Sequence, residues 1–191
     1  MTRPLSRRRL LTVAAGTAAL AALPVRPASA ATDEELAYAN FAVSSELLLA
    51  DLYAKALAAK VVIGPGQAVL RAGRRAAIQH AGALSGLLTG AGQDAPAAED
   101  FDFQWPAKAF HTPDATAATA QVVLRALLGA YQTAVVTVSE PSYGIVYTSL
   151  AASAGQQLGA LSALGASGVV EPFPVALDLE SASDTLEPYL G

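Results

Sequence analysis

Rows of mainly apolar residues recur at spacings of three and four through four long stretches, and each stretch ends at a helix breaker. Leu36, Ala39, Val43, Glu46, Ala50, Tyr53 and Leu57 form the first row and predict a helix over about 33–60. Asp33, Glu34 and Glu35 suit its positive start, Lys55 and Lys60 suit its end, and Gly64-Pro65-Gly66 breaks it. Val69, Gly73, Ala76, His80, Ala83 and Leu87 predict a second helix over about 67–89, stopped at Gly90-Ala91-Gly92. Ala120, Leu124, Leu127, Tyr131, Ala134 and Val138 predict a third, with Asp114 as N-cap after Pro113 and an end before Glu140-Pro141. Val146, Leu150, Ser153, Gln157, Leu161 and Leu164 predict a fourth, over about 142–164 and closed by Gly165. A short helix over about 181–189 is expected in the tail, after Pro172 and Pro174. No stretch reads as a strand.

Four Ala-rich helices of this length bury their rows most simply as an antiparallel bundle, so the expected class is all-α. The connection over about 93–113 is long enough to cross the bundle, which would let the second and third helices run the same way. Its aromatic run, Phe101-Asp102-Phe103-Gln104-Trp105-Pro106, is expected to pin it to the bundle. An aromatic ligand-binding loop is the competing reading.

The first thirty residues change the picture. Ser6-Arg7-Arg8-Arg9-Leu10-Leu11 is followed by a 14-residue apolar run over 10–23 and by Ala28-Ser29-Ala30. A charged start, a short apolar middle and a small-residue exit make an export signal. The run is shorter than the ~20 residues that span a bilayer. The pair Arg7-Arg8, the mild hydrophobicity and Arg26 favour the twin-arginine route over the general secretory one. The expected division is therefore a signal peptide over 1–30, a four-helix bundle over 31–165 and a tail over 166–191. Cleavage after Ala30 is expected, and an uncleaved membrane anchor is the competing reading.

The whole chain carries 12 basic and 16 acidic residues, a net charge of −4. The signal holds five of the basic residues and no acid, so the mature part has seven against 16, a net −9. That balance argues against nucleic acid and against anionic membrane surfaces as partners. With no cysteine, disulfides, thiolate nucleophiles and thiolate metal sites are excluded. The single Met is Met1, which excludes a Met-ligated haem. No glycine-rich phosphate loop is present, and no His and acid stand readably around Ser44 or Ser45 to make a hydrolase triad.

The chain resembles the ferritin-like superfamily, and is most similar to exported bacterial ferritin-like domain proteins. The stretch from Phe41 to Tyr53, with Glu46 inward and Tyr53 two turns on, is similar to the family's first helix. Ala77-Ile78-Gln79-His80 and Ala154-Gly155-Gln156-Gln157 fall where the family has a Glu and a His one turn apart. The aromatic crossover and the tail with Pro172-Phe173-Pro174 are similar as well. The resemblance implies a ferritin-like four-helix bundle with a long crossover between helices 2 and 3. It also implies a di-metal centre of iron or manganese, built from four carboxylates and two imidazoles.

Most of that set is absent from the matched positions. Glu46 and His80 remain, whereas the other positions hold Ala77, Ala154 and Gln157. Independently of any resemblance, no Asp, Glu or His occurs over 115–139 or over 142–164. No cofactor is therefore expected, and Glu46, His80 and Gln157 are expected to form a structural polar cluster. Mononuclear metal binding or acid–base work by Glu46 and His80 is the competing reading. Asp51, His111 and the Arg71, Arg74 and Arg75 face are expected to be solvated. The expected function is an exported, non-catalytic binding or structural protein, with no membrane contact after cleavage and with a protein partner or homo-oligomer left open. The alternative is an iron- or manganese-dependent oxidoreductase or ferroxidase-like protein with a reduced site.

Overall fold

The computed structural model describes residues 31–164 and 174–191; the expected signal and the start of the tail lie outside them. All regular structure among the described residues is helical. Helix α1 (Asp33–Ala59) opens on a reciprocal cap: Thr32 Oγ1 accepts from Glu35 N–H, and Glu35 Oε2 accepts from Thr32 N–H. It closes on Lys60, whose φ of 59° turns the chain left-handed. Helices α2 (Pro65–Gly90), α3 (Pro113–Thr137) and α4 (Pro141–Ser162) all carry proline in the first turn. There the missing N–H costs nothing, because that donor would have no intrahelical partner. Helix α5 (Leu179–Leu190) is capped by Asp178, whose carboxylate accepts from Ser181 N–H at 2.7 Å.

The helices form a four-helix bundle with α5 laid against it. Helices α1 and α2 pack as one pair and α3 and α4 as another, with α1 against α3 and α2 against α4. Glu35 at the start of α1 bonds Ser139 and Glu140 beyond the end of α3, so these two run antiparallel. At the other end, Gln121 early in α3 bonds Ser162 at the end of α4, 3.2 Å away. Gly66 at the start of α2 packs against Leu164 just past α4. The start of α3 thus lies at the same end as the start of α2, and the segment 91–112 must cross the length of the bundle.

The crossover is pinned by its aromatics. Trp105 Nε1 donates to Asp51 Oδ2 at 2.7 Å, and its ring meets Phe110 and Tyr189 at centroid distances of 5.6 and 5.4 Å. Asp51, expected in solvent, is therefore half-buried under the crossover. Crossover and α5 together cover the α1–α3 side. Among the described residues no helix is long and apolar enough to cross a membrane.

Two further expectations shift. The cap of α3 is Thr112, whose Oγ1 accepts from Ala115 N–H, and not Asp114, because Pro113 takes the first helical position. The inner row of α2 is Leu70, Gly73, Ala77, His80, Leu84 and Leu88, with Val69, Ala76, Ala83 and Leu87 half-buried beside it. Apolar side chains fill more than one row of α2, and the bulkier leucines take the centre, where each fully buried one contributes roughly 1.5–3 kcal/mol.

Candidate functional site

Glu46 sits halfway along α1, 2% exposed, with apolar residues on both neighbouring turns. Helix α2 brings in His80, 7% exposed, and α3 brings in Tyr131, 1% exposed. Both meet the same oxygen. Tyr131 Oη donates to Glu46 Oε1 at 2.9 Å, and His80 Nδ1 lies 3.3 Å from it, poorly aligned for a hydrogen bond. Glu46 Oε2 makes no hydrogen bond with the described residues. Burial pushes the Tyr131 phenol well above its usual value of 10.0, and the Glu46 carboxylate pushes it further. Tyr131 is therefore a fixed donor at any physiological pH.

Gln157 does not join this group. Its Oε1 accepts from Tyr53 Oη at 2.6 Å, and its Nε2 donates to Ser153 Oγ at 3.1 Å. It thus ties α4 to α1 through a second polar link. Tyr53, two turns from Glu46 on the same helix, is held above the usual tyrosine range by burial first and by the Glu46 charge second. A bare backbone in α2 makes room for its ring: a Cβ on Gly73 would lie 2.5 Å from it. The sequence placed Tyr131 only in an apolar row, and Tyr53 in such a row and in the stretch that resembles the family's first helix. Their signal was a hydroxyl on a large aromatic residue at an inner position, which must find an acceptor when buried.

The other inner positions are apolar. Ala77, three residues before His80, is fully buried, and Ala154, three before Gln157, is 3% exposed. Tyr147 from α4 closes the group, its ring 6.1 Å from that of Tyr131 and 6.2 Å from that of Tyr38. His111 is exposed on the crossover, and Arg71, Arg74 and Arg75 are exposed on α2. Among the described residues, no three His, Asp or Glu side chains are placed to hold one metal ion.

A sequence model of the ferritin-like domain matches residues 34–166. The chain belongs to the ferritin-like domain family. The match runs from the first turn of α1 to just past α4, so it contains all four bundle helices and the crossover. Comparison with curated proteins gives no match, and comparison with solved structures gives none. Within this ferritin-like domain, the one acid–imidazole contact among the described residues lies between the first two helices, midway along the bundle.

Proposed function

We propose that this is an exported, non-catalytic binding or structural protein, a ferritin-like bundle without a complete dinuclear metal centre. The observation that carries the reading is the content of the bundle's middle. One carboxylate, one imidazole and one phenol meet there, with Ala77 and Ala154 at the positions where the resemblance puts further carboxylates. Two divalent ions bring a charge of +4, and Glu46 supplies −1. Excess buried charge costs several kcal/mol per unpaired ion, so this donor set does not fit two metals. What the set does fit is a hydrogen bond between α1 and α3, with the His80 imidazole of α2 packed 3.3 Å from the same oxygen.

One observation favours a second reading, an iron- or manganese-binding oxidoreductase with a reduced site: Glu46 Oε2 is buried without a partner among the described residues. Two protein ligands hold a divalent ion weakly, which sets this reading behind the first. Elemental analysis of the protein purified from its own cell envelope decides between them. The proposal expects well under one iron or manganese per chain, and about one or more per chain would overturn it.

Export rests on the sequence of residues 1–30. Replacing Arg7 and Arg8 by Lys is expected to strand the precursor in the cytoplasm. The exported protein is expected to begin at Ala31, and retained Met1 would contradict cleavage.

A further inference from the structure

We infer that the α2–α4 side of the bundle is an interface with a second copy of this chain, related by a two-fold axis across the helices. The two sides of the molecule differ in what lies on them. Crossover and α5 cover the α1–α3 side, and this cover carries Glu99, Asp100, Asp102, Glu180, Asp184 and Glu187. No described segment covers the α2–α4 side. Helix α4 holds no charged residue in its 22 positions, and its outward row is Ile145, Thr148, Ala152, Gln156 and Gly159. The second half of α2 is equally uncharged on its outer face, with Ile78 51% exposed and Gly82 and Gly86 beyond it. A solvated helix face ordinarily carries charges; an uncharged one is the composition of a buried face.

Charge decides the occupant. Arg71, Arg74 and Arg75 are three of the mature chain's seven basic residues, and all lie exposed near the start of α2. None forms an ion pair with the described residues; Arg71 bonds only Gln67. At the opposite end of these two helices stand Glu140, just before α4, and Asp94, just past α2. A two-fold axis perpendicular to the helices sets the arginines of each copy against these acids of the other, twice over. Between the two charged ends, the uncharged rows of α2 and α4 meet their own copies. Small residues there allow close approach of helices, whereas insertion into lipid would call for a row of large apolar ones. Helices of 26 and 22 residues are ~39 and ~33 Å long. At an axial spacing of ~10 Å they offer roughly 700 Å² per copy, near the ~800 Å² per partner of an ordinary stable interface.

Sedimentation equilibrium of the exported chain over roughly 1–100 µM tests this. A dimer is expected. A Cβ on Gly82 or Gly159 meets nothing within 4 Å in the single chain, so Gly82→Gln with Gly159→Gln leaves the monomer fold intact. That pair is expected to raise the dimer Kd at least tenfold, with an unchanged helical spectrum and an undiminished melting temperature in the monomer. Arg74→Glu with Arg75→Glu is expected to weaken the dimer as well, and adding Asp94→Lys to restore part of it. A monomer across the whole range overturns the inference. So does a dimer that the glycine pair leaves unmoved, one that breaks only on Asp184→Lys in α5, or a monomer that binds neutral phosphatidylcholine vesicles through this face.

Discussion

Helix α1 buries two carboxylates three turns apart, each 2% exposed, and the two live in opposite circumstances. Glu35, at the end of the bundle, is surrounded by donors. Its Oε1 accepts from Ser139 N–H at 2.9 Å and Glu140 N–H at 2.8 Å, and its Oε2 accepts from Thr32 N–H at 2.9 Å. Burial opposes its charge, but the backbone donors of Thr32, Glu140 and Ser139 outweigh it and hold the pKa below the ordinary 4.5. Glu46, in the middle, has one phenol donor, a nearby imidazole and an oxygen with no bond among the described residues. The end of a bundle offers free backbone N–H groups because helices stop there, whereas the middle offers only side chains. A carboxylate at an end can be a structural fastener with no special neighbours. One in the middle must be given its partners by side chains of other helices, here α2 and α3.

The comparison predicts that the better-satisfied carboxylate is the costlier to lose. Glu35→Leu strands three backbone donors where α1 meets the α3–α4 turn, and should cost about 4 kcal/mol in chemical unfolding. Equal or smaller loss than at Glu46 would break the comparison. Next in size, Glu46→Leu strands Tyr131 and His80 and should cost about 3 kcal/mol. Glu46→Gln with His80→Leu should cost less than that single change, because the amide still accepts from Tyr131 and no imidazole is left unpaired. A double variant less stable than Glu46→Leu would contradict the tie. Gly73→Ala drives a methyl into the Tyr53 ring and should cost about 2 kcal/mol, loosening the Tyr53–Gln157 link without touching Glu46. Its effect should add to that of the Glu46 variants if the two polar links are independent. Smallest, Trp105→Phe removes the donor to Asp51 and should cost about 1 kcal/mol.

The pH dependence sharpens the same contrast. Because Glu35's folded pKa lies below its ordinary 4.5, its stabilising contribution is complete above that value. It is lost as pH falls through the lowered folded value. The native protein should therefore lose stability more steeply below pH 4.5 than Glu35→Gln does, and parallel acid-melting curves would contradict the fastener role.

Helix number, breaks and crossover were legible in the sequence because proline, glycine and apolar spacing act locally. The four bundle helices stand within a few residues of the expected spans, and the tail helix is one turn longer at most. Rotation about each helix axis was less legible. Where apolar residues fill several rows, as on α2, packing against two neighbours decides which row is innermost, and leucine volume won over the row containing Val69 and Leu87. Glu46 and His80 came together as the resemblance implied, because both lie on inner rows at matching depth. The partner of Glu46 did not follow, since Tyr131 and Gln157 are equally polar inner residues and only three-dimensional depth separates them. Asp51 was misjudged because its partner, Trp105, is 54 residues away on a crossover whose path no local pattern fixes.

The central claim is that Glu46, His80 and Tyr131 hold an apo bundle together and do not serve two metal ions. Thermal unfolding of the native protein and of the Glu46→Gln/His80→Leu variant, each with and without excess iron(II) or manganese(II), tests it most directly. The account predicts no appreciable change in melting temperature with metal in either protein. A rise of several degrees in the native protein that is absent from the double variant would show binding to the folded state through these two side chains, and would contradict the account.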